Sequence, residues 1–139
     1  MDAETIFQPK IWYIIAGAMA LIGGIENYIN AETWAESAWG ADGVNDQSIA
    51  MEKLFGLFMV SFGAMGLTCA FALDGKAQAK FALANGAVIS LFFVAMFFLL
   101  PSTGYEMPGA AFLAPPFIFM GGLIASGYLH MNEEEQAAE

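Results

Sequence analysis

Arginine is absent from this chain of 139 residues, and positive charge of any kind is scarce. Four lysines stand against 14 acidic residues, which gives a formal net charge of −10. Nucleic-acid binding needs Lys and Arg to neutralise phosphates, so this composition argues against a nucleic-acid partner. The single cysteine, Cys69, excludes an internal disulfide framework and any metal site built from several cysteines.

Charged residues of both signs make up only 13% of the chain, whereas 58% of it is hydrophobic. The apolar residues fall in four runs of about 20 residues, the length that crosses a bilayer as a helix. A soluble four-helix bundle would need a charged outer stripe on each helix, and the run 83–100 contains no charged residue. The sequence therefore predicts an all-α fold, an integral membrane four-helix bundle in one domain, with helices at about 11–29, 51–73, 81–100 and 110–130.

The residues outside these runs predict an outer loop at 30–50 and an acidic tail at 131–139. Within the loop, Asn30 as a cap and Gly40 as a terminator predict a short helix from Ala31 to Trp39. Asp46 or Ser48 is expected to cap the helix that follows.

Tryptophans and lysines predict how the chain sits in a membrane. Trp12, Trp34 and Trp39 are expected to anchor it at the interface, with rings in lipid and N–H groups in water. Lys10, Lys76 and Lys80 would share one side, and Lys53 alone would lie on the other. The positive-inside rule then predicts a multi-pass protein with both termini on the cytoplasmic side or its equivalent.

Small residues recur at helical spacing and predict close helix packing. Such stripes pack the bundle together, face partner subunits, or leave room for a bound lipid or pigment. The residues concerned are Ala16, Ala20 and Gly24 in the first helix, Gly66 and Gly86 in the second and third, and Gly121 and Gly122 in the fourth.

Polar residues within the second, third and fourth runs predict an intramembrane cluster. A short turn joins the second and third helices, so they are expected to pack as antiparallel neighbours, with Gly66 level with Gly86. This register brings Thr68 near Asn85, and Ser126 lies at a similar depth. Asn85 cannot stay unpaired in hydrocarbon, so the cluster is interpreted as interhelical hydrogen bonding or as the lining of a small ligand cavity.

Ionisable residues also lie near the outer helix ends, where Glu26 closes the first helix and Lys53 opens the second. The two are expected at similar depth, and we predict a structural ion pair between them. The alternative is that Glu26 is a protonatable site for transport or acid–base chemistry. Asn27 and Glu52 belong to the same rim.

No pattern typical of catalysis or metal binding emerges from the sequence. The only histidine, His130, ends the fourth helix, where it is expected to face water and where it is a weak candidate for an axial ligand. We therefore predict no catalytic residue, no metal and no cofactor, with a bound lipid or pigment left open.

In outline the chain resembles the small DoxX-like membrane proteins. The residues that carry the likeness are Gly23-Gly24, the loop segment 30–34 and Leu54-Phe55-Gly56 at the opening of the second helix. The resemblance implies a four-helix membrane fold with a tight turn between the second and third helices. Members of this group are varied, and accessory subunits of membrane oxidoreductases are one role suggested for some of them, so the resemblance implies no single function and transfers no functional residue.

These features predict a non-catalytic subunit of a larger membrane complex of respiratory or photosynthetic type. Its expected partners are membrane lipids and either other subunits or further copies of the chain. The alternative is a small oligomeric transporter or channel that uses Glu26, Lys53 and Asn85. The third possibility is a membrane enzyme that acts on lipid or quinone.

Overall fold

The structure, a computed structural model, describes residues 3–132 and contains six α-helices over that range. Two are short: α1 (Ala3–Ile6) and α3 (Ala31–Trp39). The other four are α2 (Pro9–Ile29), α4 (Asp46–Ala72), α5 (Gly75–Leu99) and α6 (Ala110–His130), and each includes a stretch long and apolar enough to cross a membrane. The all-helical prediction is confirmed over these residues. Of the predicted acidic tail, positions 133–139 lie outside them.

Helix ends follow the local sequence. Helix α3 covers the predicted residues and stops at Gly40, whose φ of 73° is readily adopted only by glycine. Helix α4 begins five residues before its apolar run because Asn45, rather than Asp46 or Ser48, is its cap. The Asn45 side chain accepts hydrogen bonds from the backbone N–H groups of Gln47 and Ser48, and the Ser48 hydroxyl accepts one from the backbone of Asn45.

The long helices pack in the spatial order α4, α2, α6, α5. Helix α2 packs most extensively on α4, and α5 on α6, while α2 and α6 join the two pairs. Helices α4 and α5 scarcely touch, although only Leu73 and Asp74 separate them in sequence. The expectation that they pack as neighbours is wrong, because a short turn fixes two helix ends but not the faces that follow.

Glycines on both helices account for the close contact between α2 and α4. A Cβ built on Gly24 would lie 2.6 Å from the Gly56 carbonyl oxygen, and one on Gly63 would lie 2.7 Å from the Gly17 carbonyl oxygen. The two helices therefore meet backbone to backbone along a line that we call the glycine seam, formed by Gly17, Gly24, Gly56 and Gly63. Seven residues, or two turns, separate the glycines on each helix.

The other predicted small residues take three different roles. Ala16 and Ala20 are half-buried, and Gly66 approaches the backbone of α2 at Gly17 rather than Gly86. Gly86 instead packs against Met120 and Ile124 of α6, and Gly122 accommodates the ring of Trp12. Gly121 differs from these glycines, since a Cβ built on it would meet no atom within 4 Å.

Candidate functional site

Four parts of the chain converge at the outer end of the α2 and α4 pair. The end of α2 packs against the first two turns of α4, and the other two parts cover these helix ends. Helix α3 packs on α4 and buries Ala31, Ala35 and Ala38. The segment before α6 is attached to α3, since the backbone N–H of Glu106 donates to the Ala38 carbonyl at 2.7 Å. This bond satisfies a carbonyl in the last turn of α3, where no helical partner remains.

A carboxylate is buried beneath this cover. Glu52 of α4 is 4% exposed and Asn27 of α2 is 5% exposed, and the Asn27 Nδ2 donates to Glu52 Oε2 at 3.4 Å. Tyr105 contributes from the segment before α6, with its hydroxyl directed at the same carboxylate. We call Asn27, Glu52 and Tyr105 the outer site.

The outer site changes the pKa of Tyr105, which lies outside the helices. Burial and the neighbouring Glu52 carboxylate both disfavour a phenolate, and together they raise the pKa of Tyr105 to about 12. The Tyr105 hydroxyl is therefore protonated at neutral pH and available to donate a hydrogen bond to Glu52.

The predicted ion pair at this rim does not form. Both oxygens of Glu26 are used by its own neighbourhood, Oε1 by the Asn30 side chain at 3.0 Å and Oε2 by the Trp34 indole N–H at 2.8 Å. The Lys53 ammonium lies instead over the Tyr28 ring, 5.9 Å from its centre. Both Glu26 and Lys53 are exposed, whereas the adjacent residues Asn27 and Glu52 face the other helix.

Two buried polar atoms around the outer site have no hydrogen-bond partner within residues 3–132: Asn27 Oδ1 and Trp39 Nε1. The Trp39 ring meets the Tyr105 ring edge-on, with centroids 5.3 Å apart. Such buried groups are rare and call for an explanation.

The tryptophans expected as interfacial anchors are all half-buried in the structure. The Trp12 indole N–H donates to the Ile6 carbonyl at 3.2 Å, and that of Trp34 donates to Glu26. The N–H of Trp39 is buried rather than in water, so the predicted orientation is wrong for this residue.

The predicted cluster of Thr68, Asn85 and Ser126 is also corrected. Asn85 donates to the Tyr13 hydroxyl at 2.8 Å, which links α5 to α2. Thr68 is exposed and donates to the Ala64 carbonyl of its own helix, while Ser126 is buried and donates to the Leu123 carbonyl. The predicted cluster requires α4 to pack against α5, and these two helices make few contacts in the structure.

Two further buried polar residues lie at the opposite end of the helices. Gln78 Nε2 donates to the carbonyls of Cys69, Ala70 and Leu73, and so caps the last turn of α4. His130 is 7% exposed and does not face water as expected, because Gly127 brings the last turn of α6 against the backbone of α5.

Comparisons with known proteins give no relative whose role could be transferred to this site. No family model, curated protein or solved structure matches the chain. The DoxX-like resemblance therefore stays a prediction, and the site is interpreted from its own chemistry. Within the described part of the chain, no group of three or more His, Cys, Asp or Glu residues could hold a metal ion.

The outer site was only partly visible in the sequence. The sequence places Asn27 and Glu52 at the outer rim but gives no indication that they are buried. Helical spacing carried a signal for Glu52, since it lies four residues before Gly56 and therefore on the face that meets α2. Tyr105 lies far away in sequence, and no local pattern directs it to Glu52.

Proposed function

We propose that the chain is a small integral membrane protein with both termini on the cytoplasmic side, and that it serves as a non-catalytic subunit of a larger membrane complex. The lysine distribution supports the orientation. The contact between Lys10 and the Phe71 ring is consistent with it, because it keeps the start of α2 beside the end of α4.

The observation that carries the subunit role is the open face around Gly121. The other glycines in the interiors of the long helices approach a neighbouring helix or a side chain, whereas no atom of residues 3–132 lies within 4 Å of a Cβ built on Gly121. Ala114, seven residues earlier, is also exposed, which continues the small surface for two turns. Lipid gains little from small side chains, whereas another helix gains close van der Waals contact.

A purification from native membranes tests this proposal. Wild-type protein, extracted in a mild detergent, is expected to bring a partner at stoichiometric yield, and Gly121→Leu is expected to release it. A Cβ at position 121 meets no atom of residues 3–132 within 4 Å, so we expect the fold to persist. The control is Ala87→Leu, which adds the same bulk to an exposed position on α5. Recovery of the wild-type protein without any partner would contradict the subunit role.

A second candidate is a small oligomeric transporter, which the burial of Glu52 favours. Ionisable residues inside membrane helices commonly mark ion pathways. Among the residues first considered for transport, Glu26 and Lys53 are exposed, and Asn85 is bonded to Tyr13. Glu52 is therefore the residue on which this candidate depends.

Flux measurements in proteoliposomes separate the two candidates. Transport predicts proton or sodium flux that Glu52→Gln abolishes and Glu26→Gln retains. If wild-type vesicles show no flux above protein-free vesicles under an imposed gradient, transport is rejected and the subunit role is favoured.

A further inference from the structure

The outer site holds a buried carboxyl group with no cationic side chain against it among residues 3–132, and its ionised form would need a positive partner. Buried charges in proteins are paired or coordinate a cation. Within residues 3–132 no lysine fulfils this role, because Lys53 lies over Tyr28 and Lys10 lies over Phe71 at the opposite end of α2. Lys76 and Lys80 belong to the first turns of α5, also at that opposite end.

An acceptor beside the carboxylate is also unused. The Asn27 side chain is only 5% exposed, and its Oδ1 has no hydrogen-bond partner among the described residues. The Nδ2 of the same amide donates to Glu52 at 3.4 Å, and Oδ1 lies 3.1 Å from a Cβ built on Gly56, one turn along α4 from Glu52. A buried amide oxygen without a partner loses the hydrogen bonds it would make to water, and a ligand would restore that interaction.

We propose that the outer site binds one monovalent hard cation of the sodium class, between the Glu52 carboxylate and the Asn27 amide oxygen, with the Tyr105 hydroxyl beside them. The chemistry of the three groups selects this ligand. All are oxygens, the donors that hard cations prefer, and no thiol or imidazole belongs to the set.

Charge selects a monovalent over a divalent ion. One carboxylate neutralises one positive charge, whereas a divalent ion would leave a net positive charge in a buried site. Protein calcium sites combine several oxygen ligands, often from more than one carboxylate. The outer site has a single carboxylate, since Glu26 uses both of its oxygens elsewhere.

The cation would join three separate parts of the chain, namely the end of α2, the start of α4 and the segment that carries Tyr105. It would therefore stabilise the folded outer end, whether the protein is a subunit or a transporter. Ligands that bind only the folded state raise its stability in proportion to the logarithm of their concentration.

Thermal unfolding in detergent tests the inference. The purified protein is unfolded in sodium chloride and in N-methylglucamine chloride at equal ionic strength, with far-UV circular dichroism as the readout. We expect the wild-type midpoint to rise with sodium in a saturable way, and the midpoint of Glu26→Gln to do the same. Glu52→Gln should lose the sodium-dependent shift, and Asn27→Ala should need at least tenfold more sodium.

Direct binding keeps the test decisive if Glu52→Gln does not fold. Line broadening of the sodium NMR signal by wild-type protein, compared with Asn27→Ala and Tyr105→Phe, reports the site without that variant. Equal midpoints in sodium and N-methylglucamine would overturn the inference, as would an unchanged shift in folded Glu52→Gln. A larger shift with calcium, or stabilisation by acid alone, would also overturn it.

Discussion

The glycine seam makes a prediction that two adjacent residues can test. Gly23 and Gly24 lie side by side on α2, but only Gly24 approaches the backbone of α4. A Cβ on Gly24 would lie 2.6 Å from the Gly56 carbonyl oxygen and 2.7 Å from the Val60 nitrogen, where ordinary contacts begin at 3.4 Å. A Cβ on Gly23 would meet only the terminal methyl of Met59, a flexible side chain that can move aside.

The expected magnitudes follow from these distances. Relieving the Gly24→Ala overlap requires α2 and α4 to move apart, and overpacking of this kind costs roughly 1–3 kcal/mol. Alanine recovers roughly 0.5–1 kcal/mol relative to glycine inside a helix. We therefore expect Gly24→Ala to lose up to about 2.5 kcal/mol of unfolding free energy, and Gly23→Ala to be as stable as wild type or more stable by up to about 1 kcal/mol.

Unfolding of the two variants in mixed micelles, titrated with a denaturing detergent, measures the difference. Helix content by circular dichroism gives the unfolding curve, and the two variants add the same methyl group at adjacent positions of the same protein. The reasoning is refuted if Gly24→Ala is as stable as Gly23→Ala, because the seam would then tolerate a side chain.

Three further predictions concern buried polar groups. Gln78→Leu leaves carbonyls at the end of α4 without their donor, so we expect the free energy of unfolding to fall by about 1–3 kcal/mol. Hydrogen exchange at the α4–α5 turn should become faster, and unchanged exchange would contradict the capping role. Tyr13→Phe and Asn85→Leu should each lower the free energy of unfolding by roughly 0.6–2 kcal/mol. The double variant should lose less than the sum of the two, because both single variants remove the same hydrogen bond between Asn85 and Tyr13. Strictly additive losses would mean that this hydrogen bond contributes nothing. Burial and the Glu52 carboxylate raise the pKa of Tyr105 from 10 to about 12, so between these pH values only the unfolded chain releases the proton. The contribution of Tyr105 to stability is therefore complete below pH 10 and is lost as the pH rises toward about 12. Thermal midpoints of wild type and Tyr105→Phe should therefore converge between pH 10 and 12, and a constant difference would refute the shift.

Helix positions were predictable because they depend on local sequence. Each of the four apolar runs falls on one long helix, although the runs 51–73 and 81–100 each end one residue beyond it. The segment Ala31–Trp39 matches in full because Gly40 adopts a backbone conformation that ends a helix. The start of α4 was missed because its first turn is polar, and length and hydropathy carry no information about such a turn.

Helix partners were not predictable from connectivity. The turn at Leu73 and Asp74 indicated that α4 and α5 would pack together, but the backbone approach of Gly63 to Gly17 directs α4 to α2 instead. The sequence analysis groups small residues four positions apart, whereas the glycines that meet across α2 and α4 lie seven positions apart on each helix. Asn85 then found Tyr13, a residue 72 positions away, rather than Thr68.

The glycine seam also accounts for the burial of the outer site. A Cβ on Gly56 would lie 2.8 Å from the Tyr28 nitrogen and 3.1 Å from Asn27 Oδ1, so the seam ends directly against the site. Glu52 lies one turn before Gly56 on the same face of α4, where it is buried against α2 and bonded to Asn27. Its neighbour Lys53 lies about 100° further round the helix and is exposed. The same helix approach that favours α2 against α4 therefore encloses an uncompensated carboxylate, and a bound cation would offset the cost of that enclosure.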